Sequence, residues 1–422
     1  MTAPVAPRER VWFAHAIRGP ACLLVVLTHL ADVFVFDQPS AAAVGHFPPV
    51  EGLPSAPWAG VPRFLASNGV MAGAVGVLLF FLVSGFVIPF SLESGRLRGF
   101  VVRRFFRLYP TLWVCLGITA TVLFVQGAAL SLPFPHGTDT VAGNAFLVAP
   151  YTRVAWIEPV LWSLAVEELF YLVACLLGWR GLLARRSAVV LVAAVLTAVA
   201  LATRGAAPGS PLFWLGFNAA LVIAILLGVV LHQAYRGRWG AADAGAVFVM
   251  VSAAYLVSLR HGPTAVVSGV YTNSSVVAVV VFGALFLARD RLPYSRLVDG
   301  LSDISYPLYL LHGVNGYVVI RAVHVATGNY YLGLVTALAV TVVVATAVHF
   351  LVEVPTNNFG RRLAGHQKPE PSGRHRSRRR RPPAVSTSPP STSRTGARPD
   401  GAPALPSLSS SPSPPMSAGR CD

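Results

Sequence analysis

The sequence predicts an all-helical, multi-pass membrane protein, a bundle of about ten transmembrane helices. Of its 422 residues, 54% are hydrophobic and only 12% are charged, and the mean hydropathy is +0.61. Soluble globular proteins are far less apolar and carry about twice this share of charged residues. Apolar runs of about twenty residues recur from Ala14 to Val354, and each could cross the hydrocarbon core as a helix. The composition therefore excludes a water-soluble fold.

The apolar runs divide the chain into ten predicted helices. They are expected at approximately 14–36, 70–91, 105–127, 160–179, 187–203, 212–232, 241–259, 270–288, 302–323 and 331–354. The first run follows two arginines but has no small-residue cleavage site, so it is expected to be retained as a helix. Long outer loops at 37–69 and 128–159 are rich in Pro and Gly, and loops of this length are more often functional than simple connectors.

The distribution of arginine orients these helices. If the N-terminus is cytoplasmic, sixteen arginines before the tail fall in inner loops and flanks, and five fall in outer ones. The five outer residues are Arg63, Arg153, Arg204, Arg260 and Arg321. Because basic residues accumulate on the cytoplasmic side, both termini are predicted to be cytoplasmic. One helix more or fewer would destroy the pattern.

The residues after Leu363 differ sharply from those before them. Residues 1–363 are predicted to be the membrane domain, and 364–422, rich in Pro, Ser and Arg, a disordered cytoplasmic tail. From Arg361 onwards there are twelve Lys and Arg against three Asp and Glu, a net +9 out of +16. This placement does not indicate nucleic-acid binding. The tail is either a solvated extension or a segment attracted to anionic lipid.

Ionisable residues within the helices are the candidates for function, because each costs roughly 2.5 kcal/mol or more at the centre of a membrane helix. Arg18 and His29 lie eleven residues apart in the first helix, which places them on one stripe about 16 Å apart along the axis. The arginine could hold a phosphate while the imidazole transfers a proton. Alternatively, the imidazole is a hydrogen-bonded packing residue.

Two further groups stand in the third and fourth helices. Arg104 and Arg107 share one helical face, and they are either positive-inside anchors or an anion clamp, since guanidinium forks match phosphate oxygens. Ser163 and Glu167 lie four apart on one face, with Glu168 beside them. Adjacent carboxylates in an apolar helix are hard to explain by packing. Glu167 is therefore predicted to face a cavity.

His312 and Glu353 are two further ionisable residues, in the last two predicted helices. Hydrogen bonding between helices explains them at least as well as catalysis does. The four cysteines lack metal-ligand spacing. Neither a metal site nor a disulfide is predicted.

Taken together and in order, these segments resemble the acyltransferase 3 family of integral membrane O-acyltransferases, over about residues 11–363. The matching positions are Arg18 and His29, Arg104 and Arg107, Trp162, Ser163 and Glu167, Ser305, Tyr306, Leu311 and His312, and Glu353 with Pro355. Leu78 stands where many relatives carry an acidic residue, so that role is absent or has moved, with Asp32 as a candidate. Since the tail is too short and polar for an added hydrolase-like domain, a stand-alone form is expected.

The resemblance implies the reaction and its partners. The donor would be acyl-CoA, with an acetyl or other short acyl group and no permanently bound cofactor. The acceptor would be a sugar hydroxyl of a cell-surface polysaccharide or of a glycosylated natural product. Arg18, Arg104 and Arg107 would hold the phosphates of CoA. The partners are thus acyl-CoA, a carbohydrate and the bilayer of the plasma membrane, with no nucleic acid.

The resemblance also suggests roles at the reacting centre. His29 is the best candidate for the base that takes the proton of the hydroxyl group. Glu167 would orient an imidazole or a sugar hydroxyl. Ser163 would hydrogen-bond the acceptor, or carry the acyl group in a covalent intermediate.

A transporter or flippase is the alternative. In that case Arg18, His29 and Glu167 would bind and move an anion or a proton, and no acyl product would form. A purely structural scaffold leaves the buried carboxylates unexplained. Incubation of membranes with a labelled acyl-CoA and candidate glycans separates these hypotheses.

Overall fold

The structure is a computed structural model, and it describes residues 11–55, 66–93, 97–178 and 180–365. Within these ranges the chain forms helices, turns and loops, with no strand, so the predicted all-helical fold is confirmed. Arg63 and nearly all of the predicted tail, residues 366–422, lie outside the described residues.

The helices of the described residues are numbered here in chain order. They are α1 Trp12–Phe36, α2 Gln38–Gly45, α3 Ala72–Glu93, α4 Leu97–Ala129, α5 Thr138–Ala145, α6 Ala149–Thr152, α7 Leu161–Gly178, α8 Arg186–Ala202, α9 Pro211–Tyr235, α10 Ala241–His261, α11 Ser268–Leu287, α12 Arg296–Asp303, α13 Ser305–Leu311, α14 Gly313–Thr327 and α15 Tyr330–Leu363. Eight of them, α1, α3, α4, α7, α9, α10, α11 and α15, are long and apolar enough to cross a membrane.

The other two predicted spans take a different form. The run at 187–203 is the shorter apolar helix α8, and the run at 302–323 is divided among α12, α13 and α14. A helix continuing through this region would need the Pro307 N–H to bond the carbonyl of Asp303, where α12 ends. Proline has no such N–H, which weakens a helix at this point and favours the break between α12 and α13. The number of spans and their sidedness stay predictions.

Helix α3 packs against both α1 and α9 at the centre of the bundle. Helix α9 crosses α3 at two glycines. A Cβ on Gly85 would lie 1.9 Å from the carbonyl oxygen of Ile225, and one on Gly228 would lie 2.2 Å from the carbonyl oxygen of Leu82. Only glycine permits this approach of two backbones, the arrangement that small residues allow in membrane helices.

Two of the spanning helices contain a π-helical segment. One covers Thr28–Val33 in α1 and the other His349–Glu353 in α15. The first includes His29 and the second ends at Glu353. A π segment inserts one extra residue into a turn, and such segments are frequent at functional sites. They change the direction in which the following side chains point, which a regular 100° step does not predict.

Candidate active site

A cavity of about 1130 Å³ lies in the half of the bundle predicted to be cytoplasmic. The beginning of α1, the second half of α3 and the last turns of α15 all contribute residues to its lining. Among the predicted site residues, Arg18, Arg104, Arg107 and Glu167 line it. Four helices, α1, α4, α7 and α15, therefore bring charged groups from distant parts of the sequence to one space.

The three arginines are held in different ways. Arg18 makes no hydrogen bond or ion pair with any residue that the structure describes, although it interacts electrostatically with Arg107, Glu353 and Glu167. The Arg107 Nη1 lies 3.6 Å from Glu353 Oε1, and that carboxylate also lies 2.8 Å from His349 Nδ1. Arg107 is thus partly neutralised, whereas Arg18 presents its charge to the cavity.

Arg104 lies against two aromatic rings. Its guanidinium carbon lies 5.4 Å from the ring centroids of both Phe100 and Tyr171, and its Nη2 donates a hydrogen bond to Ser91 Oγ over 2.8 Å. The buried Nε has no partner among the described residues. These contacts fix the position of the charge by cation–π attraction and a hydrogen bond without neutralising it.

Glu167 projects into the same space. Its Oε1 accepts hydrogen bonds from Ser84 Oγ at 2.8 Å and from Tyr171 OH at 2.6 Å. Glu168 does not line the cavity; it accepts a hydrogen bond from Tyr109 OH. No imidazole is a hydrogen-bond partner of Glu167 among the described residues. Its charge therefore acts on the arginines and on whatever occupies the cavity.

His29 and Ser163 lie apart from this cavity and do not line it. The His29 Nδ1 is 3.0 Å from His312 Nε2 and 3.0 Å from the carbonyl oxygen of Val25. Ser163 is buried; its hydroxyl donates to the Val160 carbonyl and accepts from Tyr309 OH, 2.7 Å away. The predicted residues thus form two groups, an arginine-lined cavity and a buried histidine pair.

Aromatic side chains stand between the two groups. Phe80 lines the cavity, and its ring packs edge-on against Tyr309 with centroids 5.7 Å apart. Tyr309 in turn contacts His312 at 5.7 Å. The inner end of the cavity is therefore separated from the histidine pair by the ring of Phe80 and by Tyr309.

Sequence reasoning missed two partners of the charged groups. Tyr171 follows Glu167 by four residues, and His349 precedes Glu353 by four. The spacing that joined Ser163 to Glu167 could have identified both, since residues four apart share a helical face. A third missed group, Glu158, lies before α7; burial raises its pKa to about 8.

Three side chains that could act as metal ligands lie close together at the mouth of the cavity. His15, Asp299 and Asp303 bring their donor atoms within 4.8 Å of one another. His15 Nε2 is 3.0 Å from Asp299 Oδ1, and the other oxygen of Asp299 accepts a hydrogen bond from Tyr294 OH. Polar contacts within the protein account for the cluster, so it carries no metal assignment.

Comparison with known proteins identifies the family. The model of the acyltransferase 3 family, described as an acyltransferase domain, matches residues 11–353. The chain is 29% identical to Acyltransferase MdmB of Streptomyces mycarofaciens over 343 residues, 71% of this chain and 85% of the relative. It is 26% identical to Nodulation protein 10 of Rhizobium leguminosarum bv. viciae over 332 residues, 70% of this chain and 86% of that relative.

No solved structure is a significant match to the chain. The family match covers α1 through the π segment of α15, and so includes the three predicted arginines of the cavity, Glu167, Glu353 and both histidines. The chain belongs to the acyltransferase 3 family, and it is a multi-pass membrane acyltransferase.

Proposed function

We propose that the protein transfers a short acyl group, such as acetyl, from acyl-CoA to a sugar hydroxyl. The acceptor sugar belongs to a cell-surface polysaccharide or a glycosylated natural product, and the reaction takes place at the plasma membrane. The observation that carries the proposal is the cavity in which Arg18 has no hydrogen-bond or ion-pair partner among the described residues and Arg104 is held in place. A guanidinium inside a membrane protein is costly without a direct partner, so an anionic ligand in this space is expected.

The chemistry of CoA fits this arrangement. Its phosphates match guanidinium groups, which form paired hydrogen bonds to phosphate oxygens. Arg18 and His29 are eleven residues apart in α1, about 16 Å along the axis at the ordinary helical rise. A donor held by its phosphates near Arg18 would extend its pantetheine arm towards His29.

The transfer itself needs one base. His29 takes the proton of the sugar hydroxyl as the hydroxyl oxygen bonds to the thioester carbonyl carbon. The tetrahedral intermediate collapses, the carbon–sulfur bond breaks, and the thiolate takes the proton from the imidazolium to leave as free CoA. Direct transfer is favoured over an acyl-serine, because the hydroxyl of Ser163 is buried and engaged at both the donor and the acceptor side.

The proposal is tested with the purified protein in lipid nanodiscs. Labelled acetyl-CoA and a panel of methyl glycosides are supplied, free CoA is followed with a thiol reagent, and products are identified by mass spectrometry. Acetylated glycoside is expected with the wild type. His29→Ala should lower the rate on the order of 10²-fold or more, the usual contribution of a general base.

Two outcomes would contradict the proposal. Near-normal turnover by folded His29→Ala would exclude His29 as the base. Movement of label across sealed vesicles with no acyl product, from any donor or acceptor in the panel, would favour the transporter alternative instead.

A further inference from the structure

Two histidines meet where α1 passes the junction of α13 and α14. His312 is fully buried and His29 is half-buried, and their ring centroids lie 5.0 Å apart. His312 Nδ1 is 2.7 Å from the carbonyl oxygen of Tyr309, and His312 Nε2 is 3.0 Å from His29 Nδ1. His29 Nδ1 is also 3.0 Å from the carbonyl oxygen of Val25.

These partners determine where the ring hydrogens are. A carbonyl oxygen can only accept, so the Nδ1 of His312 carries its hydrogen and donates it to Tyr309. In the neutral ring, the Nε2 of His312 then has a free lone pair. His29 Nδ1 faces this lone pair and the Val25 carbonyl, two acceptors, so it must be the donor. The remaining nitrogen, His29 Nε2, is therefore unprotonated and is the atom that can accept a proton.

The hydrogen bond between His29 and His312 also stabilises His29 after it has taken up a proton. When His29 Nε2 takes a proton, the ring becomes an imidazolium and its Nδ1–H donates more strongly to His312. In serine hydrolases a carboxylate holds the base in its reactive tautomer and stabilises the imidazolium. Here a neutral imidazole occupies the corresponding position. Hydrogen bonds to a charged group are stronger than those between neutral groups, so the contact gains strength as the transition state forms.

We propose that His312 is the positioning residue of the base: its Nε2 accepts the hydrogen of His29 Nδ1, holds the His29 ring with Nε2 free, and stabilises the imidazolium. The assignment rests on the proposed function, because it presupposes proton transfer at His29. It goes beyond that function in naming the residue that orients the base and the nitrogen that reacts.

The support of His312 extends to α7. Tyr309, whose carbonyl accepts from His312, donates its hydroxyl hydrogen to Ser163. The tyrosine also contacts the His312 ring at 5.7 Å. Ser163 thus helps to fix Tyr309, the residue whose carbonyl accepts from His312.

Two substitutions of His312 distinguish a role in orienting His29 from a role in packing alone. His312→Gln places an amide oxygen near the position of Nε2, so an acceptor for His29 Nδ1–H is kept. His312→Phe keeps a ring of similar volume but removes this acceptor, which leaves His29 Nδ1–H with the Val25 carbonyl alone. If the role is only packing, Phe should be tolerated better than Gln, since uncompensated amide atoms are costly in a buried site.

Acetyl transfer from acetyl-CoA is measured for both variants, with a methyl glycoside that the wild type accepts. His312→Phe is expected to lower kcat about 10- to 100-fold, the rate equivalent of one hydrogen bond to a charged group. The KM for acetyl-CoA should stay within a factor of about two, because the donor phosphates bind elsewhere. His312→Gln should retain most of the wild-type kcat.

A matched control lies in α14, the helix that follows His312. His324 in α14 is also buried, and its Nε2 donates to the carbonyl of Glu51. His324→Phe makes the same change away from His29, so it should leave kcat unchanged at equal amounts of folded protein. Acetyl-CoA binding by each variant, measured directly, shows that the fold is intact.

The outcomes separate the two proposals. If wild-type protein and His29→Ala give the same background rate, the proposed function fails. If His29→Ala is inactive but His312→Phe matches or exceeds His312→Gln, the positioning role of His312 is wrong while the proposed function stands. A loss confined to KM in His312→Phe would equally overturn the assignment.

Discussion

The three arginines of the cavity differ in the partners that surround them. Arg18 faces the cavity without a hydrogen-bond or ion-pair partner among the described residues, Arg107 is paired with Glu353, and Arg104 lies against two aromatic rings. Because their positive charges are neutralised to different extents by protein groups, removal of each arginine should weaken donor binding to a different extent. Arg18 is the residue on which donor binding should depend most.

Arg18→Ala should raise the KM for acyl-CoA about 10- to 100-fold, the equivalent of one charge-assisted hydrogen bond, with little change in kcat. A phosphate contact exists in both ground and transition states, so its loss acts on binding. Steady-state kinetics with acetyl-CoA and with a donor lacking the nucleotide phosphates check this. In the wild type the truncated donor should have the higher KM, and in Arg18→Ala the KM values of the two donors should become similar. Arg260→Ala, an exposed residue at the far end of α10, is the control.

Glu167→Gln should impair transfer more than Glu168→Gln. A glutamine oxygen can still accept from Ser84 and Tyr171, so the first variant removes the charge and little else. That charge interacts electrostatically with Arg18, whereas Glu168 lies outside the cavity and accepts a hydrogen bond from Tyr109. Rates at equal membrane levels decide the matter, and a worse Glu168 variant would show that the fourth predicted helix is oriented wrongly.

Glu158 should make stability depend on pH. The only hydrogen bond to its carboxyl group among the described residues comes from the Val314 N–H, and the other carboxyl oxygen is buried without a partner. Burial raises its pKa from 4.5 to about 8. The folded state thus binds a proton that the unfolded state has released, so this group's contribution to stability falls as pH rises from about 4.5 to about 8.

The measurement for Glu158 is Tm against pH in nanodiscs. Between pH 6 and pH 9 the wild-type Tm should fall more than that of Glu158→Gln, which cannot ionise. Parallel curves for the two proteins would mean that the carboxyl is not proton-bound in the folded state.

At the scale of helices, the site depends on how closely α3 and α9 approach. The two glycines at their crossing let α3 lie deep in the bundle, with Phe80 and Ser84 turned towards the cavity. The π segments of α1 and α15 act on the same scale, since each contains or ends at a residue of the site. The site is thus positioned by backbone features rather than by its own contacts alone.

Gly85→Ala should destabilise the protein by about 1–3 kcal/mol, because the new methyl group meets the backbone of α9 rather than a movable side chain. Gly117→Ala in α4 is the matched control, since a Cβ there meets nothing within 4 Å. Thermal unfolding of the two variants is compared. Equal Tm values would show that α3 and α9 do not approach as closely as described.

At the scale of the whole molecule, the described residues belong to one unit, and the cavity draws on helices from both ends of it. The family match ends at residue 353, so no family feature falls in the Pro- and Arg-rich segment that follows Leu363. That segment has too little apolar surface to form a core of its own.

Ending the chain after Leu363 should therefore preserve specific activity, although the amount of protein in the membrane can change. Acetyl transfer per inserted molecule is the measurement. A truncated protein that inserts correctly but is inactive would show that the removed residues contribute to the site.

Hydropathy and charge spacing by themselves determined the all-helical membrane fold and eight of its long helices, because hydrocarbon forces each apolar run of sufficient length into a helix. The order of Arg18, His29, Glu167 and the later residues was enough to predict the family. Local spacing also placed Glu167 and Arg104 on the faces that line the cavity.

Only the tertiary structure decided which of these residues meet. His312 lies 283 positions from His29 in the sequence, and a helical period carries no information across that distance. The same holds for Arg107 with Glu353 and for the separation of His29 from the cavity. Such contacts depend on how α1, α7 and α13–α15 cross, and on two π segments that shift the helical phase. Periodicity describes one helix at a time, and the site is made where several of them pack together.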